Sequence, residues 1–196
     1  MRLPLHYVLT LGRLVLAAGF AACAGVAWRA AAGGPLTAGW LGPLLVLAVA
    51  VELTDFFDGI VARRSGQASR LGGLLDPLCD SLARLAMYFA AALAGWVSLA
   101  VPLVMVARDL VVAYVRTVVA HTGGRTAARF SGKAKAIAQA AGMLALLVLA
   151  AIGGPAAPAG RAVTAAFVIA VTAWSLIDYL RDGWSAVVAL YRHPPA

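Results

Sequence analysis

Residues 41–93 read LGPLLVLAVAVELTDFFDGIVARRSGQASRLGGLLDPLCDSLARLAMYFAAAL. Two apolar stretches, from about Leu41 to Arg63 and from about Leu71 to Trp96, flank a short polar connection. Each stretch is long enough to cross a bilayer as a helix, which takes about 20 residues. Both stretches carry aspartates, and carboxylates inside membrane helices are costly and mark functional sites by default.

The rest of the chain extends this pattern with four more apolar segments. The 196 residues are 63% hydrophobic and 12% charged, with a mean hydropathy of +0.90. A soluble domain is about half apolar and about a quarter charged, so the composition excludes a disordered chain, a collagen-like fibre and an ordinary soluble domain. We predict an all-α polytopic integral membrane protein with six transmembrane helices, in one domain over residues 1–196. The other four segments run from about Leu5 to Trp28, Leu99 to His121, Lys133 to Ile152 and Arg161 to Tyr191.

The chain carries a formal net charge of +8. Few basic residues form runs, which argues against nucleic acid as a partner and favours membrane lipid headgroups or bound phosphates. Two loops, after the second and fourth segments, contain seven of the sixteen basic residues, whereas the loops on the opposite side offer little beyond Arg29 and Arg161. The positive-inside rule therefore places these loops and both termini in the cytoplasm, and we expect a multi-pass protein of the cytoplasmic (inner) membrane. The basic residues concerned are Arg63, Arg64, Arg70, Arg125, Arg129, Lys133 and Lys135.

Four aspartates form two helical pairs. Asp55 and Asp58 are three residues apart at the end of the second segment, and Asp76 and Asp80 are four apart at the start of the third. Each pair shares one helical face, and the short connection lets the two faces meet as an antiparallel hairpin. Four converging carboxylates require cations, and such oxygen ligands suit Mg²⁺, Mn²⁺ or Ca²⁺, with two ions about 4 Å apart. An active site at the cytoplasmic interface follows from this placement.

Small residues on the same faces, Gly59, Ala62 and Gly72, leave room beside the metals for a ligand, and Arg63 stands where a phosphate would need it. The complete pattern is Asp55-x2-Asp58-Gly59-x2-Ala62-Arg63-x8-Gly72-x3-Asp76-x3-Asp80. This stretch resembles the signature of the CDP-alcohol phosphatidyltransferase family, and all eight of the signature positions are occupied.

The resemblance implies an enzyme that transfers a phosphatidyl group from CDP-diacylglycerol to an alcohol and releases CMP. It implies two bound Mg²⁺ or Mn²⁺ ions as cofactors, and Asp80 as the catalytic base that deprotonates the acceptor hydroxyl. It also implies a homodimer. The metal ligands carried over from the family are Asp55, Asp58, Asp76 and Asp80. The residues expected to bind the CDP-lipid donor are Asp55, Gly59, Ala62, Arg63, Ser69 and Gly72.

Further motifs resemble the phosphatidylglycerophosphate synthase branch of that family. They are Leu9-Thr10-x2-Arg13, Arg108-Asp109-x6-Arg116 and Ser131-Gly132-Lys133-x-Lys135-x3-Gln139. The branch implies a phosphorylated polyol as acceptor, with glycerol 3-phosphate foremost. Ser81 stands where the branch usually has Lys, so inositol phosphate, serine and phosphatidylglycerol stay open as acceptors. The expected acceptor-binding residues are Arg108, Arg116, Lys133 and Lys135.

Other interpretations use the same residues. The four carboxylates could serve a divalent-cation transporter, or could cap helices and pair with arginines such as Arg84, which lies four residues after Asp80. The acceptor cations could serve membrane topology and anionic lipids alone. Glu52, one turn before Asp55, is either an outer partner of the metal site or a structural hydrogen-bonding group.

Overall fold

The structure is a computed structural model that describes residues 5–32, 34–65, 72–121 and 130–192. Side chains are described for these residues except 5–9, 55–65, 72–74, 121, 185–187 and 189–192. The described residues form six helices and no strand. The helices are α1 (Leu5–Ala31), α2 (Ala38–Ser65), α3 (Gly72–Leu93), α4 (Ala100–His121), α5 (Phe130–Ile152) and α6 (Ala157–Arg192). The all-α prediction is confirmed, and every helix lies within a few residues of its predicted segment.

The turn after α5 shows how a helix end is fixed. Gly153 and Gly154 have φ angles of +63° and +75°, a left-handed conformation that glycine adopts without a steric penalty and that commonly ends helices. A Cβ at Gly153 would lie 3.2 Å from Cγ of Pro35, so this turn packs closely against the connection between α1 and α2. The backbone N–H of Leu36 donates to the Ala150 carbonyl at 3.0 Å and ties the same connection to α5.

The helices pack as two groups of three. In the first group α1 lies against both α2 and α3, whereas the described parts of α2 and α3 contact each other little. In the second group α6 lies against α4 and α5, and contacts of α2 with α5 and of α3 with α4 and α5 join the groups. The predicted hairpin of α2 and α3 is therefore bridged by α1 along most of its described length.

The distribution of side chains is the reverse of that in a soluble protein. Arg13 and Arg108 are only 2% and 7% exposed, whereas Val15, Leu93 and Ile137 are 73%, 78% and 69% exposed. A soluble protein buries charged side chains rarely and does not cover its surface with large apolar ones. This arrangement is the one expected where the outer surface faces lipid and the polar groups meet inside the bundle.

Among the residues that the structure describes, three helices are long and apolar enough to cross a membrane, over Thr10–Ala31, Phe130–Ile152 and Ala157–Trp184. Within the part of α2 whose side chains are described, the apolar stretch Ala38–Thr54 is shorter. Helices α3 and α4 carry charged residues that lower their hydropathy. The chain is thus an all-helical membrane protein, and the six-span arrangement stays a prediction. At 36 residues α6 is longer than a span needs, as predicted.

Candidate active site

A polar face on α1 meets the aspartates of α3. Thr10 and Arg13 are three residues apart, one helical turn, in an otherwise apolar helix. The Thr10 hydroxyl donates to Oδ1 of Asp76 at 3.0 Å, and the Arg13 guanidinium forms an ion pair with Asp80. Thr10 and Arg13 on α1 and Asp76 and Asp80 on α3 are each about one helical turn apart. One face of α1 therefore contacts both carboxylates.

Arg13 also connects α3 with α2. Its Nε–H donates to Oγ1 of Thr54 at 3.4 Å, and Thr54 directly precedes Asp55 in the signature. The Thr54 hydroxyl in turn donates to the Val51 carbonyl at 2.7 Å. One buried guanidinium thus contacts the end of the apolar part of α2 and a signature aspartate of α3. Arg13 thus links the residue that precedes the signature on α2 with the signature residue Asp80 on α3.

Glu52 and Arg84 form a bidentate ion pair. Nε of Arg84 donates to one carboxylate oxygen at 3.0 Å, and the terminal nitrogen donates to the other at 2.8 Å. Such bidentate pairs are among the stronger hydrogen-bonded contacts in proteins. Both oxygens of Glu52 are engaged, so the structure favours the structural interpretation of Glu52, and it assigns Arg84 a carboxylate partner on α2.

Several predicted donor and metal residues lie outside the part of the structure whose side chains are described. The backbone of α2 carries five of them, and Gly72 is the first residue of α3. Ser69 lies outside the described residues altogether. Their predicted roles stay predictions. The five on α2 are Asp55, Asp58, Gly59, Ala62 and Arg63.

A second polar cluster lies where α3, α4, α5 and α6 meet. Arg108 donates to Oδ1 of Asp109 and to the hydroxyl of Ser175, each at 2.8 Å. Lys135 of α5 donates to the same oxygen of Asp109 at 3.0 Å. Arg108 and Lys135 are almost fully buried, so a single carboxylate on α4 holds two of the predicted acceptor-binding cations next to each other.

Tyr179 of α6 holds the third of these cations. Arg116 donates to the Tyr179 hydroxyl at 2.8 Å. The guanidinium carbon of Arg116 lies 5.2 Å from the centroid of the Tyr179 ring, and that of Arg108 lies 5.1 Å from the same centroid. Both distances fall within the range of cation–π contacts. The structure therefore places Arg108, Arg116 and Lys135 in one cluster, as their shared predicted role requires.

Lys133 occupies a different surface. It is exposed, whereas Lys135 is buried, because residues two apart on a helix do not share a face. Its neighbour Ser131 is buried and donates to the Asp178 carboxylate of α6. The geometry thus does not bring Lys133 together with the other three cations, and its part in acceptor binding stays a prediction.

The two clusters are adjacent along α3. Asp80 belongs to the first, and the next residue, Ser81, hydrogen-bonds with the Asp109 carboxylate of the second. A carboxylate able to accept a proton therefore lies one residue from Ser81, a partner of the Asp109 carboxylate that holds Arg108 and Lys135. This arrangement can take a proton from a hydroxyl and bind a phosphate on the same small molecule.

The carboxylates of the first cluster suit a divalent cation by their chemistry. Asp76 accepts from Thr10 through one oxygen, and a carboxylate offers about four lone-pair sites, which leaves capacity for a metal. Hard oxygen donors are the ligands of Mg²⁺ and Mn²⁺. Among the side chains that the structure describes, no three His, Cys, Asp or Glu residues converge, and Asp55 and Asp58 are not among those side chains.

Sequence reasoning singled out Thr10 and Arg13 as part of a motif without giving them a role, and it missed Ser175 and Tyr179 altogether. Their partners are distant in the sequence, and the spacing of residues within one segment does not indicate contacts of this kind. A signal does exist in retrospect. Thr172, Ser175 and Tyr179 recur on one face of the apolar helix α6, and polar residues on one face of a membrane helix indicate contacts inside the bundle.

Comparison with known proteins agrees with the signature. The model of the CDP-alcohol phosphatidyltransferase family matches residues 4–191. Three bacterial relatives carry the name CDP-diacylglycerol--glycerol-3-phosphate 3-phosphatidyltransferase. The protein of Yersinia pestis (strain Pestoides F) is 31% identical over 150 residues, covering 71% of this chain and 78% of the relative. That of Pectobacterium atrosepticum is 33% identical over 154 residues, covering 70% and 78%. That of Sodalis glossinidius is 35% identical over 142 residues, covering 67% and 73%.

Proposed function

The chain belongs to the CDP-alcohol phosphatidyltransferase family, and from this premise we propose that it transfers the phosphatidyl group of CDP-diacylglycerol to glycerol 3-phosphate. The products are phosphatidylglycerophosphate and CMP, and the reaction is a step of phospholipid biosynthesis. The relatives that carry the name of this activity align with this chain over more than two thirds of their own length.

The observation that carries the choice of acceptor is the cluster around Tyr179. Arg108, Arg116 and Lys135 contribute three positive charges, and Asp109 offsets one of them. Cations collected inside a membrane protein are costly unless a negative group joins them. A phosphate is such a group, and arginines suit it because their planar donors match its oxygens. A phosphorylated alcohol fits this cluster better than serine.

In the proposed reaction the acceptor phosphate binds the basic cluster and its free hydroxyl reaches towards Asp80. The Asp80 carboxylate takes the hydroxyl proton while the oxygen attacks the phosphorus that carries the diacylglycerol group. A new phosphorus–oxygen bond forms, the bond to the CMP phosphate breaks, and the electron pair leaves with CMP. Arg13 keeps the Asp80 carboxylate in place on α3.

We assign metal binding to Asp55, Asp58, Asp76 and Asp80. Two Mg²⁺ or Mn²⁺ ions bound there would offset the negative charge of the donor pyrophosphate and of the departing CMP. The residues expected to contact the donor are Asp55, Gly59, Ala62, Arg63, Ser69 and Gly72. All six belong to the signature stretch or to the loop within it.

We further propose that all six helices cross the cytoplasmic membrane with the active site facing the cytoplasm. Of the charged residues that lower the hydropathy of α3 and α4, Arg84 and Arg108 are buried inside the bundle. The others (Asp76, Asp80, Asp109 and Arg116) are partly buried, so these charges are compatible with insertion. The basic loops support a cytoplasmic orientation. Family resemblance also supports a homodimer.

The test of the proposed function is CMP release from the purified chain in detergent micelles with CDP-diacylglycerol and Mg²⁺ or Mn²⁺. Glycerol 3-phosphate, glycerol, inositol phosphate, serine and phosphatidylglycerol are supplied in turn as acceptors. We expect release with glycerol 3-phosphate, loss of release with EDTA, and recovery when the divalent ion is restored. Size measurement of the same sample by light scattering tests the dimer.

Each other outcome has a definite meaning. Release with a different acceptor keeps the enzyme class and overturns the choice of glycerol 3-phosphate. CMP release that EDTA leaves unchanged would overturn the metal assignment. Divalent-cation flux into vesicles without any CMP release would instead favour the transporter.

A further inference from the structure

Tyr179 is the centre of the basic cluster, although it is neither charged nor part of any motif. It is 3% exposed. Arg108 and Arg116 are eight residues apart on α4, which separates their backbones by about 12 Å along the helix. Both guanidinium carbons nevertheless lie near 5 Å from the centroid of the one ring. The ring thus draws two like charges from successive parts of α4 towards one point.

Bringing two guanidinium groups together inside a bundle is unfavourable by itself, because like charges repel strongly where water is excluded. The aromatic face compensates part of this cost through cation–π attraction. The Tyr179 hydroxyl compensates a further part by accepting from Arg116 at 2.8 Å. Tyr179 therefore stabilises an arrangement of charges that Arg108 and Arg116 would not adopt alone.

Both arginines keep an unused donor. The Nε–H groups of Arg108 and Arg116 are buried and have no hydrogen-bond partner among the residues that the structure describes. Buried donors without partners are rare in proteins and cost free energy. Two of them, on guanidinium groups held by one ring, indicate that an anionic ligand supplies the missing acceptors.

The ring itself is held from the side of α5. A Cβ at Gly132 would lie 3.2 Å from the Tyr179 hydroxyl oxygen and 3.7 Å from Cε2 of the ring. The absence of a side chain at Gly132 thus allows the hydroxyl to approach the α5 backbone closely. Tyr179 is wedged between α4 and α5, and its position follows from both helices.

We propose that Tyr179 is a positioning residue for the phosphate of the acceptor alcohol. It sets the spacing and direction of Arg108 and Arg116, and these two bind the phosphate oxygens. The inference rests on the proposed function and extends it, because it makes selection of a phosphorylated over an unphosphorylated alcohol depend on an aromatic residue of α6.

The test compares Tyr179→Phe and Tyr179→Leu with the wild type in the CMP-release assay at saturating divalent ion. Phe keeps the ring and removes the hydroxyl, so we expect the KM for glycerol 3-phosphate to rise about 10-fold. Leu removes the ring as well, and we expect a rise of about 100-fold. In both variants we expect kcat and the KM for CDP-diacylglycerol to stay within about twofold of the wild type. The preference for glycerol 3-phosphate over glycerol should fall by about the same factor as the KM for glycerol 3-phosphate rises.

Tyr88→Phe is the matched control. Tyr88 is also a buried tyrosine, and its hydroxyl donates to the Gln139 carbonyl at 2.7 Å. Loss of that hydroxyl should lower thermal stability and leave the acceptor KM unchanged. If Tyr179→Phe behaves like Tyr88→Phe, or if both Tyr179 variants lower kcat and donor affinity together with acceptor affinity, Tyr179 is a structural residue and the proposal is wrong.

A binding measurement separates this inference from the proposed function. Equilibrium binding of radiolabelled glycerol 3-phosphate and of inorganic phosphate is measured on the full chain in micelles, without donor. Weaker binding of both probes to Tyr179→Phe than to Tyr88→Phe supports the inference even if the wild type releases no CMP, an outcome that would overturn the proposed function alone. If the two variants bind both probes equally, the inference about Tyr179 is wrong, whereas the proposed function is unaffected.

Discussion

Arg13 of α1 and Asp80 of α3 form a buried ion pair across 67 positions of the chain. The pair connects a residue of the first helix with the proposed catalytic base, and Thr10 makes the parallel connection to Asp76 one turn away. α1 thus contributes side chains to the proposed active site, although the signature begins only at the end of α2.

Asp80→Asn should lower CMP release by about 10²–10⁴-fold, the usual contribution of a general base. Asn is similar in shape and accepts a hydrogen bond from Arg13, but it is a far weaker base. Donor binding, measured with labelled CDP-diacylglycerol, should stay within about threefold of the wild type. Asp182→Asn, an exposed change on α6, is the control. Full activity in Asp80→Asn would remove Asp80 from the role of base.

Arg13→Ala and Asp80→Ala should each destabilise the protein by up to about 3 kcal/mol, because each leaves a buried charge without its partner. The double variant should lose less than the sum, with a coupling of at least about 1 kcal/mol. Unfolding of the purified protein in detergent measures all three. Arg29→Ala, at an exposed arginine that donates to its own helix, should change stability by no more than about 0.5 kcal/mol. Additive losses would show that the pair is not coupled.

Glu52→Gln should lower stability by about 1–2 kcal/mol, since it removes the charge from a bidentate contact with Arg84. The Mg²⁺ or Mn²⁺ concentration for half-maximal CMP release should not change. Thermal unfolding and a metal titration of activity check the two statements. A shifted metal requirement at unchanged stability would instead place Glu52 among the metal ligands.

Lys135→Ala should raise the KM for glycerol 3-phosphate by at least about 10-fold, because it removes a buried cation from the Asp109 contact and leaves that carboxylate near the acceptor. Lys133→Ala serves as the neighbour comparison. Its exposed position predicts a rise of about threefold or less, as for a screened surface charge. An equal effect of both changes would place the acceptor across both faces of α5.

Gly132→Ala should raise the acceptor KM several-fold without changing the donor KM. The added methyl group would meet the Tyr179 hydroxyl at 3.2 Å, and small shifts of tightly packed groups change function readily. Gly25→Ala on α1 is the control, because a Cβ there meets no atom within 4 Å. An unchanged acceptor KM in Gly132→Ala would show that the ring can move without loss of binding.

The sequence alone is enough to predict the helices, because long apolar segments separated by glycine, proline and basic residues leave few alternatives in a membrane. It also predicts that Arg108, Arg116, Lys133 and Lys135 act together, and the structure places three of these four in one cluster, without Lys133. It does not predict that α1 bridges α2 and α3, nor that Tyr179 is at the centre of the cations. Those features arise from side-chain contacts between helices that are far apart in the sequence. The spacing of residues along one helix indicates only which of them share a face of that helix.

The Arg13–Asp80 pair also bears on how the protein is made. Helices enter the membrane in the order of synthesis, and α1 arrives with a buried arginine whose carboxylate partner is still to be synthesised. An arginine within a membrane span is costly until it is neutralised, so α1 gains its full stability in the bilayer only when α3 has been inserted beside it. The first three helices therefore form a natural unit of biogenesis. A ribosome stalled before α3 should leave α1 easier to extract from the membrane than one stalled after it.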